Sequence, residues 1–463
     1  MYLQRHSPLL ICRFSLFLFI TFLVVPAPAQ SADQIAANAD QYLQALVARR
    51  HFSGYVVIAR DSKPLFAGAY GMANYEDDAP VTPHTRFRVG SMTKQFTAMA
   101  IMILQEKSKI SLSDSVCNYM EVCPASWQHI TIQHLLTHTS GLPNYTTFPD
   151  IARLKAMGTT PAALVEEIKQ HPLEFTPGEK YAYSNSGYVV LGSIIERVSR
   201  QPYADFIQQQ IFAPLGMTDS GYETTAIIPH RAMGYVWKDH ARWNADYIDM
   251  SVTYSAGALY STADDMLRWD SALYWNKLVS AKGLQEMFMP FRDNAASGWF
   301  LQPDKKARRW LVHDGRVNGF ASFIARDPAD HLLVLILSNL ENTNVDAAYA
   351  DLRSIAFGEP YELPPEYHFV QVSPVVLDAY VGVYQLPWGT QLFVTATKGH
   401  LYIAGKNQAA SEVRALSDTK FYLEDQDLVI EFMREAGKPG ATLLFGTFPA
   451  KRVSGPPSQN RIP

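Results

Sequence analysis

The hydrophobic and polar positions divide the chain into two unlike regions. GYVVIARD (54–61) and KPLFAGAYG (63–71) are β-branched and aromatic runs around a polar turn, which predicts a hairpin. Gln95 to Leu104 is apolar almost all round and predicts a helix buried on every side. Tyr188 to Val198 is a second apolar helical run. Later, SGWFLQ (297–302), RRWLVHDG (308–315), ASFIARD (321–327) and HLLVLILSN (331–339) predict the central strands of an antiparallel sheet. Strands at both ends of this region with helices between them predict an α+β layered domain.

The pattern changes after Phe357. The stretch EPYELPPEYHFVQVSP (359–374) carries four prolines and no clear period, so residues 358–374 read as a linker. Beyond it YVGVYQ, QLFVTAT, HLYIAG, KFYLED, LVIEFM and ATLLFGTF recur as short strands between Gly, Asp and Asn turns. That predicts a small all-β sandwich or barrel over 375–450. Residues 451–463, rich in Pro and Ser, read as a disordered tail.

The N-terminus is a separate matter. Arg5 and Arg13 precede twelve uncharged residues, Phe14 to Val25, and Pro26 ends the run. This is shorter than the roughly 20 residues needed to span a bilayer. Ala27-Pro28-Ala29 follows with small residues in A-x-A spacing, so residues 1–29 read as a cleaved secretory signal, an uncleaved anchor being the alternative. The rest, 30–357, is then the first domain of a secreted or periplasmic protein with no stable membrane span.

Composition fits that reading. Of 463 residues 48% are hydrophobic and 18% charged, so a large core is expected. The formal charge is -4, and removing the signal with its two arginines leaves 38 basic against 44 acidic residues, or -6. Lys and Arg gather in no long run, which argues against a nucleic-acid partner. Cleavage leaves Cys117 and Cys123, separated by five residues in SVCNYMEVCP, either paired in an oxidising compartment or as two buried thiols.

Candidate chemistry begins at Ser91-Met92-Thr93-Lys94, at the head of the buried run. Residues three apart on a helix share a face, so the lysine ammonium can sit beside the serine oxygen, in the field of a helix N-terminus. A second S-x-x-K, Ser417 to Lys420, has no apolar helix behind it. Tyr183-Ser184-Asn185 lies in FTPGEKYAYSNSGY, between loop signals. In an extended loop, residues two apart point the same way, so phenol and amide can face one site. Tyr274-Trp275-Asn276 repeats the pattern, but inside a stretch that reads as helical from Asp264 to Leu278. The third piece, His313-Asp314-Gly315, ends a predicted strand and is the one H-x-G among thirteen histidines. Glycine there lets a ligand lie flat against the strand. Lys438-Pro439-Gly440 reads as a turn instead.

In this order S-x-x-K, Y-x-N and H-x-G resemble the penicillin-recognising serine hydrolases. The branch is that of class C β-lactamases, D-alanyl-D-alanine carboxypeptidases, D-amino-acid peptidases and related esterases. ITIQHLLTHTSGLPNY (130–145), IFAPLGMTDS (211–220) and SAGALYSTADDM (255–266) are similar to the same family, so the likeness covers roughly residues 40–355. The C-terminal module is similar to the lipocalin-like accessory domains of some members. The resemblance implies a β-lactamase/transpeptidase-like antiparallel sheet flanked by helices.

It also implies roles. Ser91 would be the nucleophile, Lys94 its activating neighbour, and Tyr183 the general base and then the acid for the leaving group. Asn185 would bind the substrate's acyl-side amide, and His313 would replace the lysine often found in the third motif, with Gly315 beside it. The backbone N–H groups of Ser91 and Arg316 would form the oxyanion hole, where one donor is worth about 3 kcal/mol. A tyrosine acting as base at neutral pH must drop by about 3 pKa units, or about 4 kcal/mol. Lys94 is one cation toward that, while His313, near 6.5 when unperturbed, is largely neutral above pH 7. The expectation is a weak base and a pH profile sensitive to His313. Asp314 stands where many β-lactamases and carboxypeptidases have Thr or Ser to hold the substrate carboxylate. Unless the strand turns it away or Arg316 offsets it, Asp314 disfavours such substrates relative to esters, amides and peptides lacking that carboxylate.

The sequence therefore predicts a cofactor-free secreted serine hydrolase with a small-molecule or peptide substrate, D-amino-acid peptidase or esterase-like. A β-lactamase or carboxypeptidase is the alternative, and a non-catalytic penicillin-binding sensor the competitor from another class. His134 and His138 are four apart, but HLLTH lacks the glutamate of a zinc-binding H-E-x-x-H, so no metal is assigned. No Gly-rich phosphate loop with its lysine is present either.

Overall fold

The structure, a computed structural model, describes residues 31–455 apart from 407, 436, 437 and 447. The expected signal, 1–29, lies outside the described residues. Among the described residues no helix is long and apolar enough to cross a membrane.

A seven-stranded antiparallel sheet forms the centre. Its strands are β1 (Gly54–Arg60), β2 (Lys63–Tyr70), β3 (Ala295–Ala296), β4 (Trp299–Pro303), β5 (Arg309–Val317), β6 (Phe320–Asp327) and β7 (Leu332–Ser338). They lie in the order β3-β4-β5-β6-β7-β1-β2, so the early hairpin joins the late strands through β1 on β7, with Gly54 opposite Ser338. Every residue of β6 and β7 is buried, as continuous apolar runs covered on both faces require. The framing helices are α1 (Ala32–Ala48), α2 (Thr93–Glu106), α3 (Asn185–Ser199), α4 (Ala263–Ala272) and α5 (Val345–Ala356). α1 and α5 cover the face carrying Val56, Ile58, Trp310 and Val312. The other helices cover the face carrying Val57, Leu311 and Val317. Twelve residues of α2, Thr93 to Leu104, are buried, so the run expected inside does lie there.

From 359 to 373 the chain forms no helix or strand, and α6 (Pro374–Tyr380) then packs its Leu377 and Tyr380 into the core of the C-terminal module. That module is a closed barrel of eight strands: β8 (Gly382–Gln385), β9 (Gln391–Thr397), β10 (His400–Gly405), β11 (Ser411–Ala415), β12 (Lys420–Leu423), β13 (Leu428–Glu435), β14 (Lys438–Phe445) and β15 (Phe448–Ser454). Lys451 to Ser454, expected in a disordered tail, instead complete β15, where Gln385 faces Lys451 and Tyr384 faces Arg452. Closure explains this: without β15 two strands would keep open edges, and the Pro-Ser character starts only after it. The barrel docks on the first domain through Arg49, which pairs with Asp427 and donates to the Tyr422 hydroxyl at 3.0 Å. His51 Nε2 shares that hydroxyl at 2.6 Å.

Two sequence patterns resolve locally. Ser417 Oγ accepts from the Lys420 backbone N–H at 3.0 Å in a hairpin turn, and Lys420 faces Glu431 at 3.7 Å, so this S-x-x-K is spent on structure. The helix expected to run to Leu278 ends at Ala272, leaving Tyr274 to Asn276 in a turn. Cys117 and Cys123 are joined by a disulfide.

Candidate active site

Three segments converge on Ser91. Gly90 to Met92 form a single 3-10 turn that leads into α2, with Gly90 at φ +51°. The turn lies flush against the end of β5: a Cβ on Gly315 would come within 2.0 Å of the Val89 carbonyl oxygen, and one on Gly90 within 2.8 Å of the Arg316 backbone nitrogen. The Ser322 hydroxyl ties the two together by donating to the Val89 carbonyl at 2.9 Å. Glycine is required at 315 because backbone approaches backbone. Gly315→Ala is expected to cost about 1–3 kcal/mol in a urea melt and to push the Ser91 turn off the strand.

Lys94, one turn into the helical segment, is fully buried. Its Nζ donates to Ser91 Oγ at 3.0 Å, Asn185 Oδ1 at 2.8 Å and the Ala256 carbonyl at 2.8 Å, a full set of partners for an ammonium. The Tyr183 hydroxyl donates to the same Ser91 Oγ at 2.9 Å. Tyr183 leaves an extended segment and Asn185 is the first residue of α3, so the Y-x-N pair spans a loop-to-helix junction and both groups reach one point.

The electrostatics invert the expectation for Tyr183. Burial raises its phenol well above the ordinary value, with the Ser91 hydrogen bond opposing and Asp314 adding to the rise. Burial pulls Lys94 down to about 7, with Asp314 as the opposing influence. The physical reason is that a pocket this dry penalises every charge, so the phenol holds its proton more tightly and the amine less tightly than in water. His313 lies inside β5, which continues past it to Val317. Burial lowers it to about 4, Asp314 opposes this, and Lys94 reinforces it. Its Nδ1 meets the Asp314 carbonyl oxygen at 2.6 Å, its Nε2 has no hydrogen-bond partner among the described residues, and Phe300 packs 5.3 Å from its ring. It is neutral at physiological pH, and no hydrogen bond joins it to Ser91, Lys94 or Tyr183.

Strand alternation settles where Asp314 points. Leu311, His313, Gly315 and Val317 share the face covered by α2 and α3 with the site. Asp314 and Arg316 share the opposite face with Trp310 and Val312. Arg316 donates Nη1 to the Glu341 carbonyl at 3.1 Å, and its backbone nitrogen adjoins Gly90 beside Ser91. Asp314 does not line the cavity over Ser91, but its charge still reaches the site, where it raises Lys94 and Tyr183.

Three residues here escaped sequence reasoning. Asn144 Oδ1 accepts from Asn185 Nδ2 and from the Asn185 backbone, each at 3.2 Å, and so orients the amide that faces Lys94. Ala256 offers only a carbonyl, which no side-chain pattern reveals. His138, at φ +57°, stacks 4.4 Å from the Tyr183 ring and accepts from the Ser184 N–H at 3.2 Å. Asn144 and His138 were both inside the stretch 130–145, but nothing in it marks them as neighbours of Tyr183. His134 serves a helix cap with Thr131, and no described cluster of His, Cys, Asp and Glu could hold a metal ion.

A helix-flanked antiparallel sheet and a serine hydroxyl held between a buried lysine and a phenol define the penicillin-recognising serine hydrolases, which act through an acyl-enzyme. The beta-lactamase family pattern matches residues 39–358, and the chain belongs to that family. It is 30% identical over 426 residues to Penicillin-binding protein 4* of Bacillus subtilis (strain 168), covering 85% of this chain and 94% of that protein. The structure of the octameric penicillin-binding protein homologue from Pyrococcus abyssi superposes with a TM-score of 0.63 at 23% identity, over 89% of this chain and 99% of that one. A D-stereospecific amidohydrolase from Streptomyces sp. superposes with a TM-score of 0.57 at 25% identity, over 66% of this chain and 94% of that one.

Proposed function

We propose that this serine hydrolase is exported and cleaves an ester, amide or peptide bond through an ester on Ser91, with D-amino-acid derivatives as its leading substrates. The observation that carries the reading is the pair of contacts on Ser91 Oγ, 3.0 Å from Lys94 Nζ and 2.9 Å from the Tyr183 hydroxyl. In this reading neutral Lys94 accepts the Ser91 proton as Oγ bonds to the substrate carbonyl carbon. The resulting ammonium keeps Asn185 and Ala256 as acceptors. The N–H groups of Ser91 and Arg316 receive the developing oxyanion, worth about 3 kcal/mol per donor. Collapse breaks the bond to the leaving group, which takes its proton through Tyr183, and water then repeats the sequence to free the acid. The D-stereospecific relative supports the substrate class. The disulfide at Cys117 and Cys123 supports an oxidising compartment, and with it the leader read at 1–29.

A β-lactamase or carboxypeptidase is the second reading, favoured by the turning of Asp314 away from the site. Incubation with a fluorophosphonate and a fluorescent penicillin, with the adduct mapped by peptide mass spectrometry, tests the chemistry. An adduct on Ser91 is the expected result, and labelling by neither probe would return the chain to a binding role. Turnover of D-amino-acid amides, short-chain esters and a chromogenic cephalosporin then separates the substrate readings. The acylation rate should climb with pH through about 7 as Lys94 loses its proton. Because His313 is already neutral there, His313→Ala should leave that midpoint in place. A midpoint displaced by a full unit would restore the imidazole to the titrating machinery.

A further inference from the structure

We propose that Lys155 reads an anionic group, a carboxylate in the first instance, on the substrate bound over Ser91, and so determines the substrate class. The inference rests on the assignment of Ser91 as the acylated residue. The cavity over Ser91 measures about 140 Å³ and is lined by Tyr145, Asn185, Thr253, Asn318 and Lys155 among others, with no Asp or Glu in its wall. Lys155 is partly buried in the short helix Ile151–Met157, and its ammonium forms no ion pair and no hydrogen bond among the described residues. Its backbone is pinned, since the Lys155 carbonyl accepts from the Asp249 N–H at 2.8 Å, next to Ile248 of the same wall.

No nearby carboxylate pairs with it among the described residues. The Asp249 carboxylate accepts from the Ser251 N–H at 2.9 Å, and its carboxyl carbon lies 2.9 Å from where a Cβ on Gly158 would stand. Asp314 lies on the far face of the sheet. Arg316 also lines the cavity, with its Nη1 donating to the Glu341 carbonyl at 3.1 Å, and adds a second positive charge to the same wall. A lysine left without a counter-charge beside a small, partly enclosed cavity makes that cavity electropositive, and a charge-assisted hydrogen bond to an incoming carboxylate completes it. A substrate with a free α-ammonium finds no carboxylate in this wall. The class that fits is therefore a carboxylate-bearing acyl compound, N-blocked where it derives from a D-amino acid.

The test compares esters that differ by one carboxylate: N-acetylglycine phenyl ester against its 3-carboxyphenyl ester, and hexanoyl phenyl ester against hemisuccinyl phenyl ester. In at least one pair the carboxylate should raise kcat/KM by about tenfold or more. Lys155→Gln should remove that preference while leaving the uncharged ester within about twofold, and Lys155→Arg should keep it. Equal turnover within both pairs, or a preference that survives in Lys155→Gln, overturns the role of Lys155 and leaves the acyl-enzyme reading intact. Absence of turnover together with absence of fluorophosphonate labelling overturns both.

Discussion

Lys94→Met is expected to lower the rate of Ser91 acylation by about 10³-fold, since a positioned base contributes about 10²–10⁴. Stopped-flow measurement with an activated ester reads this directly, and retention of a tenth of the rate would remove Lys94 from the proton path. The same substitution carries a second signature. Lys94 falls from 10.5 in the unfolded chain to about 7 in the fold, so the unfolded state binds the extra proton between these values. Stability must then rise with pH across that window, and as pH falls from 10.5 it is lost until about 7, below which both states are protonated and the dependence ends. The slope from this one group is about 1.4 kcal/mol per pH unit. Urea melts at pH 7, 8 and 9 should show the gap between wild type and Lys94→Met closing or reversing with that slope. A gap independent of pH would mean that Lys94 stays charged throughout. The buried amine thus sacrifices folding stability at neutral pH to hold a proton acceptor beside Ser91.

Arg326→Met is the substitution expected to cost most in stability. Arg326 on β6 donates Nε to Asp270 of α4 at 2.7 Å, with both side chains no more than 2% exposed. Burial raises the Asp270 carboxyl above its ordinary value even with Arg326 pulling the other way. Removing the guanidinium leaves a buried carboxylate alone, for which about 3–5 kcal/mol is the ordinary loss. The double change Arg326→Met with Asp270→Leu should recover most of it, because the pair repays little beyond its own desolvation. Calorimetry of the three variants checks this. A double variant no more stable than the single would show that the pair itself clamps α4 to the sheet.

The main features of this protein were written in local patterns. Runs such as HLLVLILSN and Gln95 to Leu104 can only be stable where both faces are covered, so a buried strand and a buried helix follow from composition alone. Ser91 and Lys94 are one helical turn apart, and Tyr183 and Asn185 flank one residue; both spacings survive whatever the tertiary arrangement. The barrel was legible from its recurring strands, but its closure through Lys451 to Ser454 was not, because pairing with β8 is a contact across some seventy residues.

Protonation was the part that local pattern could not reach. The family resemblance put a cation beside Tyr183 and so implied a lowered phenol, whereas the depth of the pocket penalises charge on phenol, imidazole and amine alike. The facing of Asp314 away from the site, the Asn144 brace on Asn185, the His138 stack on Tyr183 and the unpaired Lys155 beside the cavity belong to the same category. The chain by itself determined which chemical groups were available and which of them were near neighbours. Only the tertiary structure decided how much water reaches them and which distant residues complete them, because desolvation and long-range packing depend on the whole arrangement and have no short-range signature.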